Sequence, residues 1–459
     1  MFRWLVALVL IAGLAFAGLY VIAGRGVPPR LTIEKPDRFV GPAGSLEVTA
    51  DAPNARFTAL AITLEQNGRT YPLFTLAGTQ TAVVTHVDRT QLRVSRPIGK
   101  QSLPELRSGP ARVVVTATRP SLLNLRPLTS TATRDFQVRL EPPRIAVLST
   151  KHYLNHGGSE MVVYKTTPAD VASGVRVGEL EYAGFPASGA GAANADPSIR
   201  IAFFALLHDQ GLDTPIAAFA RDEAGNQAKA SFMDNVFQKP FKKSRIEIDD
   251  KFMNRVVPDI LEHSPELKTT APAESSPEML AAFLKVNSEL RRMNADQIAA
   301  FAVKTSPARL WDGPFVQLGN SQVEASFADR RTYVYKGKEV DQQTHLGFDL
   351  AVTEHVPVAA ANGGIVLNAS WLGIYGNCVV IDHGLGVQSL YGHLMSFDVN
   401  VGDKVTRGQI IGRSDSTGLA GGDHLHFTML VGGRMVTPVE WWDPHWIADR
   451  VERKLLEAR

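Results

Sequence analysis

Cysteine is almost missing from this chain: one residue in 459, Cys378, is a cysteine, so no intramolecular disulfide can form. That residue lies in the apolar run "NCVVI" and reads as a small buried hydrophobe, although a cysteine in a chain with histidines nearby could also act as a nucleophile. An excess of either charge is missing too. Forty-eight Lys and Arg stand against 46 Asp and Glu, for a net charge of +2, and that balance excludes the strong electrostatic footprint of a nucleic-acid binder or of a protein held on an anionic membrane by charge. What the protein acts on must therefore be read from particular sites. At this length, with 44% hydrophobic and 20% charged residues, the chain is a folded protein too long for one ordinary core, and about three units are expected at ~100–200 residues each.

The N-terminus holds a long apolar run. After Met1-Phe2-Arg3, Trp4 to Ala23 is uncharged and mostly apolar, long enough to cross a bilayer as a helix. Arg3 precedes it and Arg25 and Arg30 follow it, so the charge bias that orients such helices is weak. A cleavable signal peptide with Ala15-Phe16-Ala17 as its small-residue site competes with an uncleaved anchor. The apolar run continues past Ala17, which favours the anchor. Both readings export the bulk of the chain.

From about Arg30 to Leu140, short β-branched runs such as "SLEVTA" and "ARVVVTAT" alternate with turn formers, and Asn67-Gly68 marks a two-residue hairpin. Pro142-Pro143 punctuates the chain, and a second series of strand-like runs follows, among them "EMVVYKT" and "IRIAFFALL". Near its end Asp222-Glu223-Ala224-Gly225-Asn226 reads as a last hairpin similar to those of bacterial immunoglobulin-like modules, with the acidic pair a solvated turn rather than calcium ligands. The stretch 188–198 reads as a loop. Between Phe241 and about Pro307 the pattern changes: Pro258 and Pro265 interrupt an apolar segment, "TTAPAESSP" reads as a linker, and Ser276-Pro277-Glu278 opens a helix with Met279, Phe283, Val286 and Leu290 on its core face.

Seven of the twelve histidines fall at or after position 345. In "HLGFD", His345 and Asp349 are four apart, which places them on one face of either a helix or a strand; Gly347 and "FDLAV" favour extended chain. In "GGDHLHF", His424 and His426 point to one side of a strand and Leu425 to the other. His393 sits between these clusters in "YGHL". A catalytic zinc site takes three protein ligands and leaves a fourth position for water, a count that two histidines and a carboxylate satisfy with two histidines left for proton handling.

In order and separation, "THLGFDLAV", "NCVVIDHGLGVQSLYGHL", "VNVGDKVTRGQIIGRSDSTG" and "DHLHF" resemble the lysostaphin-type (LytM-like) zinc metallopeptidases, over roughly Gly319 to Trp446. The resemblance implies zinc ligation by His345, Asp349 and His426 and catalytic roles for His393 and His424. Asp423 departs from the family pattern, which often has proline there. His383 in "IDHG" matches a supporting element, while His355 and His445 read as structural or surface residues.

The expected architecture is mainly β: a transmembrane anchor or signal at 1–26, immunoglobulin-like β-sandwich modules at 27–141 and 142–240, a helical linker at 241–314, and an antiparallel β peptidase domain at 315–459. The implied function is zinc-dependent endopeptidase action on cell-wall peptidoglycan from the inner membrane, with the bulk of the chain in the periplasm, no nucleic-acid partner, and a cell-wall or division protein as a further partner. Two readings compete. One is a non-hydrolytic regulator of a wall amidase or divisome partner, a kind of relative that usually loses metal ligands. The other is a carrier domain, since "VGDKVTRGQIIG" is similar to a biotinyl-domain hairpin; the context of Lys404 is wrong for a modified lysine.

Overall fold

The computed structural model describes residues 2–53, 55–78, 82–88, 90–121, 124–192, 196–274 and 277–457. The chain divides into two compact units, one of Met1–Pro143 with Arg221–Ala228, the other of Arg144–Ala220 with Lys229–Arg459.

In the first unit, Phe2–Ala23 is a helix long and apolar enough to cross a membrane. A four-stranded and a five-stranded sheet follow, and the inward residues of both, including Leu46, Val48, Val94, Leu60, Ile62 and Val113, form a single core. Alternation of buried and exposed positions along Gly109–Pro120 explains this: every second side chain faces that core. Asn67 and Gly68 join Ala59–Gln66 to Arg69–Thr75 as a tight hairpin with Gln66 opposite Arg69. Both turn residues have positive φ, 51° and 73°, the backbone that matches strand twist and that Asn-Gly accepts at least cost.

The second unit is held by one continuous core running from Leu154 to Leu455. Its first strands, centred on Ser159–Thr167 and Ile199–Ala205, pair antiparallel. The chain's C-terminal helices return to them. Lys454 Nζ lies 2.9 Å from Glu160 Oε1 with both side chains fully enclosed, and Trp441 Nε1–H donates to Ser159 Oγ at 3.1 Å.

Two features of the 241–314 segment differ from expectation. Lys243–Ile248 is a strand, parallel to Asp329–Tyr335, in a three-stranded sheet completed by Lys338–His345. Pro258 does not break the following helix, Asp250–His263. Proline removes one backbone donor, but Met253, Val256, Val257, Ile260 and Leu261 are all buried along one face, and that burial outweighs the lost hydrogen bond. Asp249 caps this helix by accepting from the Phe252 N–H. Ser276, expected to open the next helix, lies outside the described residues; the helix is Pro277–Lys285. Met279, Phe283, Val286 and Leu290 are all buried.

The remaining chain builds a ten-stranded sheet whose order brings Phe348–Ala351, His424–Val431 and Val387–Phe397 side by side.

Candidate metal centre

His426 lies directly opposite Asp349 across the antiparallel pair Phe348–Ala351 and His424–Val431. His345, the last residue of Lys338–His345, arrives from the neighbouring three-stranded sheet. The three side chains converge: His345 Nε2 is 2.9 Å from Asp349 Oδ1 and 3.0 Å from His426 Nδ1, and His426 Nδ1 is 3.0 Å from Asp349 Oδ1. His345 Nδ1–H donates to the Ser326 carbonyl at 3.3 Å, so its Nε2 turns a lone pair inward. A triangle of acceptor atoms at this spacing fits one divalent cation. Metal bonds of about 2.0–2.1 Å in a tetrahedron separate their ligand atoms by about 3.3 Å. Gly347 makes room for the His426 ring, since a Cβ there would lie 2.4 Å from His426 Cε1.

Burial acts to raise the Asp349 carboxyl, but the charge and hydrogen bond of His345 and the hydrogen bonds of His424 and His426 hold it well below the usual carboxylate range. Burial lowers His426 to about 4. Both shifts favour the forms that bind metal, carboxylate and neutral imidazole.

Two further imidazoles face the same point. His424 Nδ1–H donates to the Gly422 carbonyl at 2.8 Å, which leaves Nε2 toward the triad, 3.5 Å from Asp349 Oδ1. His393 Nδ1–H donates to the Thr417 carbonyl at 2.7 Å, and its ring lies 4.8 Å from that of His424. A bulge delivers His393: Tyr391 pairs with Val379 and Leu394 with Asn377, so Gly392 and His393 together oppose Cys378. With φ of 61°, His393 turns out of the ladder, as bulges next to sites re-aim side chains. Leu425, between the two histidines of its strand, is buried.

Residues 343–438 match the model of peptidase family M23. They form an M23 peptidase domain. Over 95 residues the chain is 40% identical to a DD-carboxypeptidase/endopeptidase, Mpg, of Neisseria meningitidis, covering 21% of this chain and 22% of that protein. Over 96 residues it is 40% identical to the peptidoglycan DD-endopeptidase ShyA of Vibrio cholerae, covering 21% and 22%. Over 95 residues it is 39% identical to the murein hydrolase activator EnvC of Escherichia coli, covering 21% and 23%. The chain thus spans under a quarter of the length of these curated relatives.

His345, Asp349, His393, His424 and His426 all line one cavity of about 530 Å³. Arg331, which lines it, and Arg255, which holds one of its lining loops, carry no signal in the sequence. Arg331, from Asp329–Tyr335, donates through Nη2 to Asp349 Oδ2 at 2.9 Å, and Asp329 Oδ2 lies 3.6 Å from its Nε. In sequence "DRRTYVY" is an ordinary alternating strand; only the pairing of that strand with the one ending in His345 turns Arg331 toward Asp349. Arg255, on the helix Asp250–His263, donates to the Ala420 and Gly421 carbonyls at 2.9 and 3.1 Å. It therefore secures the loop whose next carbonyl, Gly422, orients His424.

The other histidines of the C-terminal region separate. His383 spends both ring nitrogens inside the fold, Nδ1 with the Gly363 carbonyl and Nε2 with Ser389 Oγ. His445 is exposed, and its N–H is capped by Asp443. His355 contacts Asp423. Cys378 is buried in its strand, and burial pushes its thiol far up, which leaves no thiolate for nucleophilic attack.

Proposed function

We propose that this chain is a zinc-dependent endopeptidase that hydrolyses peptide bonds of cell-wall peptidoglycan. The observation that carries the proposal is the meeting of His345, Asp349 and His426 at one point with His393 and His424 facing it. Zinc held by that triad would act as a Lewis acid on the scissile carbonyl and bring water toward ionisation near neutral pH. The chain supplies the rest. His424, with Nδ1–H fixed on Gly422, presents Nε2 to accept a proton from the attacking water and return it to the leaving amine. His393, fixed on Thr417, presents the second Nε2. Action on the wall is supported by the similarity to the DD-carboxypeptidase/endopeptidase of Neisseria and the peptidoglycan DD-endopeptidase of Vibrio.

The apolar helix Phe2–Ala23 is an inner-membrane anchor, and the rest of the chain lies in the periplasm. Residues 27–141 and 142–240 are immunoglobulin-like β-sandwich modules, 241–314 links them to the catalytic domain at 315–459, and a cell-wall or division protein is a further partner. The kinship with an activator favours a second reading, a non-hydrolytic regulator. The complete set of five site residues weighs against it, because regulation needs none of them.

Digestion of isolated sacculi by the purified chain and by His345→Ala, with metal analysis of both, tests the proposal. Muropeptide release by the wild type and its loss in the variant are expected. A zinc-loaded wild type that leaves sacculi intact would transfer the argument to the regulatory reading.

A further inference from the structure

Asp423 breaks the family pattern, and the structure gives it a neighbourhood of its own. Its side chain is only 9% exposed. Oδ2 accepts the His355 N–H at 2.8 Å, while Oδ1, also enclosed, has no hydrogen-bond partner. An enclosed carboxylate oxygen without a donor is costly. Three donor groups meet here: one ligand atom each from His355, Asp415 and Asp423 lie within 4.8 Å of one another. His355 Nδ1 is 3.4 Å from Asp423 Oδ2.

The backbone around this cluster is organised. His355 has φ of 58°, which turns its N–H onto Asp423. The Val356 N–H donates to Ser414 Oγ at 3.1 Å and Arg413 Nη1 donates to the His355 carbonyl at 3.1 Å. The His424 N–H donates to the Asp415 carbonyl at 3.1 Å. Three segments therefore meet: the loop after the Asp349 strand, the end of Ile410–Ser414, and the first residue of the strand that carries His424 and His426.

We infer that His355, Asp415 and Asp423 form a second divalent-cation site at the rim of the catalytic cavity, separate from the His345, Asp349 and His426 triad. One imidazole nitrogen and two carboxylates make a mixed nitrogen and oxygen set, which suits zinc or manganese better than the all-oxygen preference of calcium or magnesium. The cation supplies the unpartnered Oδ1 with a counter-charge and offsets the repulsion between two neighbouring carboxylates. His355 is 45% exposed at its side chain, so the ion reaches the site directly from solvent and exchanges faster than one held by the buried triad. By tying the rim loop to the start of the His424 strand, it stiffens the segment that positions His424.

The test is a zinc titration of the full-length chain in detergent by calorimetry, with bound metal counted by emission spectroscopy, for wild type, His355→Ala, Asp423→Asn and His345→Ala. Two equivalents are expected for wild type and one for each single variant; His345→Ala combined with His355→Ala should bind none. Because the His355 side chain is nearly half exposed, its truncation leaves the fold intact even if Asp423→Asn does not. A wild-type count in His355→Ala overturns the rim site, as does a single equivalent in wild type that His345→Ala abolishes. A single wild-type equivalent that survives in His345→Ala but is lost in His355→Ala supports the rim site and instead removes the catalytic metal, so the two readings fail separately.

Discussion

The guanidinium of Arg331 donates from Nη2 to Asp349 Oδ2 at 2.9 Å while the other oxygen of that carboxylate, Oδ1, faces His345 and His426. Arg331 thus divides the carboxylate, binding one oxygen and leaving the other to His345 and His426, where the proposed zinc would sit. Partners of this kind fix the orientation of a ligand, and their loss costs about 10–100-fold in metal affinity or activity. Arg331→Met should weaken zinc binding by that factor in a chelator competition, with Arg331→Lys restoring part of it. Unchanged zinc affinity in Arg331→Met would show that Asp349 needs no such support.

His424 and His426 are two residues apart on one strand and should fail differently. His426→Ala removes a corner of the triad and should lose zinc. His424→Ala should keep most zinc yet lower kcat by about 10²–10⁴, the range of a general acid–base contribution. Metal content and turnover, measured on the same preparations, separate the two roles. Equal metal loss in both variants would make His424 a ligand.

Gly347 is there for space. A methyl group at its Cβ position would meet His426 Cε1 and Nε2 at 2.4 Å, so Gly347→Ala must displace the imidazole. A displacement near 1 Å costs about a hundredfold in rate. Sacculus digestion by Gly347→Ala should fall by that order while the melting temperature changes little; full activity would mean that the ring relaxes without leaving its place.

Glu440 carries a pH dependence of stability. Its carboxylate accepts from the Ser159 N–H at 2.7 Å and from Asn155 Nδ2 at 2.7 Å, but burial dominates and raises it from 4.5 to about 7. The folded state therefore holds a proton that the unfolded chain releases at lower pH. The stabilisation is fully present below pH 4.5 and is lost as pH rises through about 7. At 1.36 kcal/mol per unit the effect is about 3 kcal/mol. Thermal unfolding of wild type and Glu440→Gln across this window should show a difference that shrinks with falling pH; parallel curves would mean that Glu440 titrates as an ordinary carboxyl.

Much of the site was legible in the sequence because its residues come in local patterns. The period of two puts His424 and His426 on one side of a strand and Leu425 on the other, whatever the strand packs against. Asn67-Gly68 fixed its own hairpin by backbone preference alone, and the apolar face through Met279, Phe283, Val286 and Leu290 announced burial. Pro258 misled because local chemistry counts the lost donor and not the buried face that holds the helix together. Lys243–Ile248 was missed for a similar reason: a parallel strand at a sheet edge is defined by a partner, Asp329–Tyr335, more than 80 residues away.

The sequence by itself determined which groups the site could use, imidazoles and a carboxylate able to bind a cation or carry a proton, and it determined the strands whose alternation sorts them. Only the tertiary structure decided which atoms meet. Strand register sets His426 against Asp349, a bulge turns His393 inward, and an adjoining sheet brings Arg331 to the far oxygen of Asp349. Those relationships rest on pairings between residues distant in the chain, whose closure is driven by the burial of a shared core, and no local pattern encodes them.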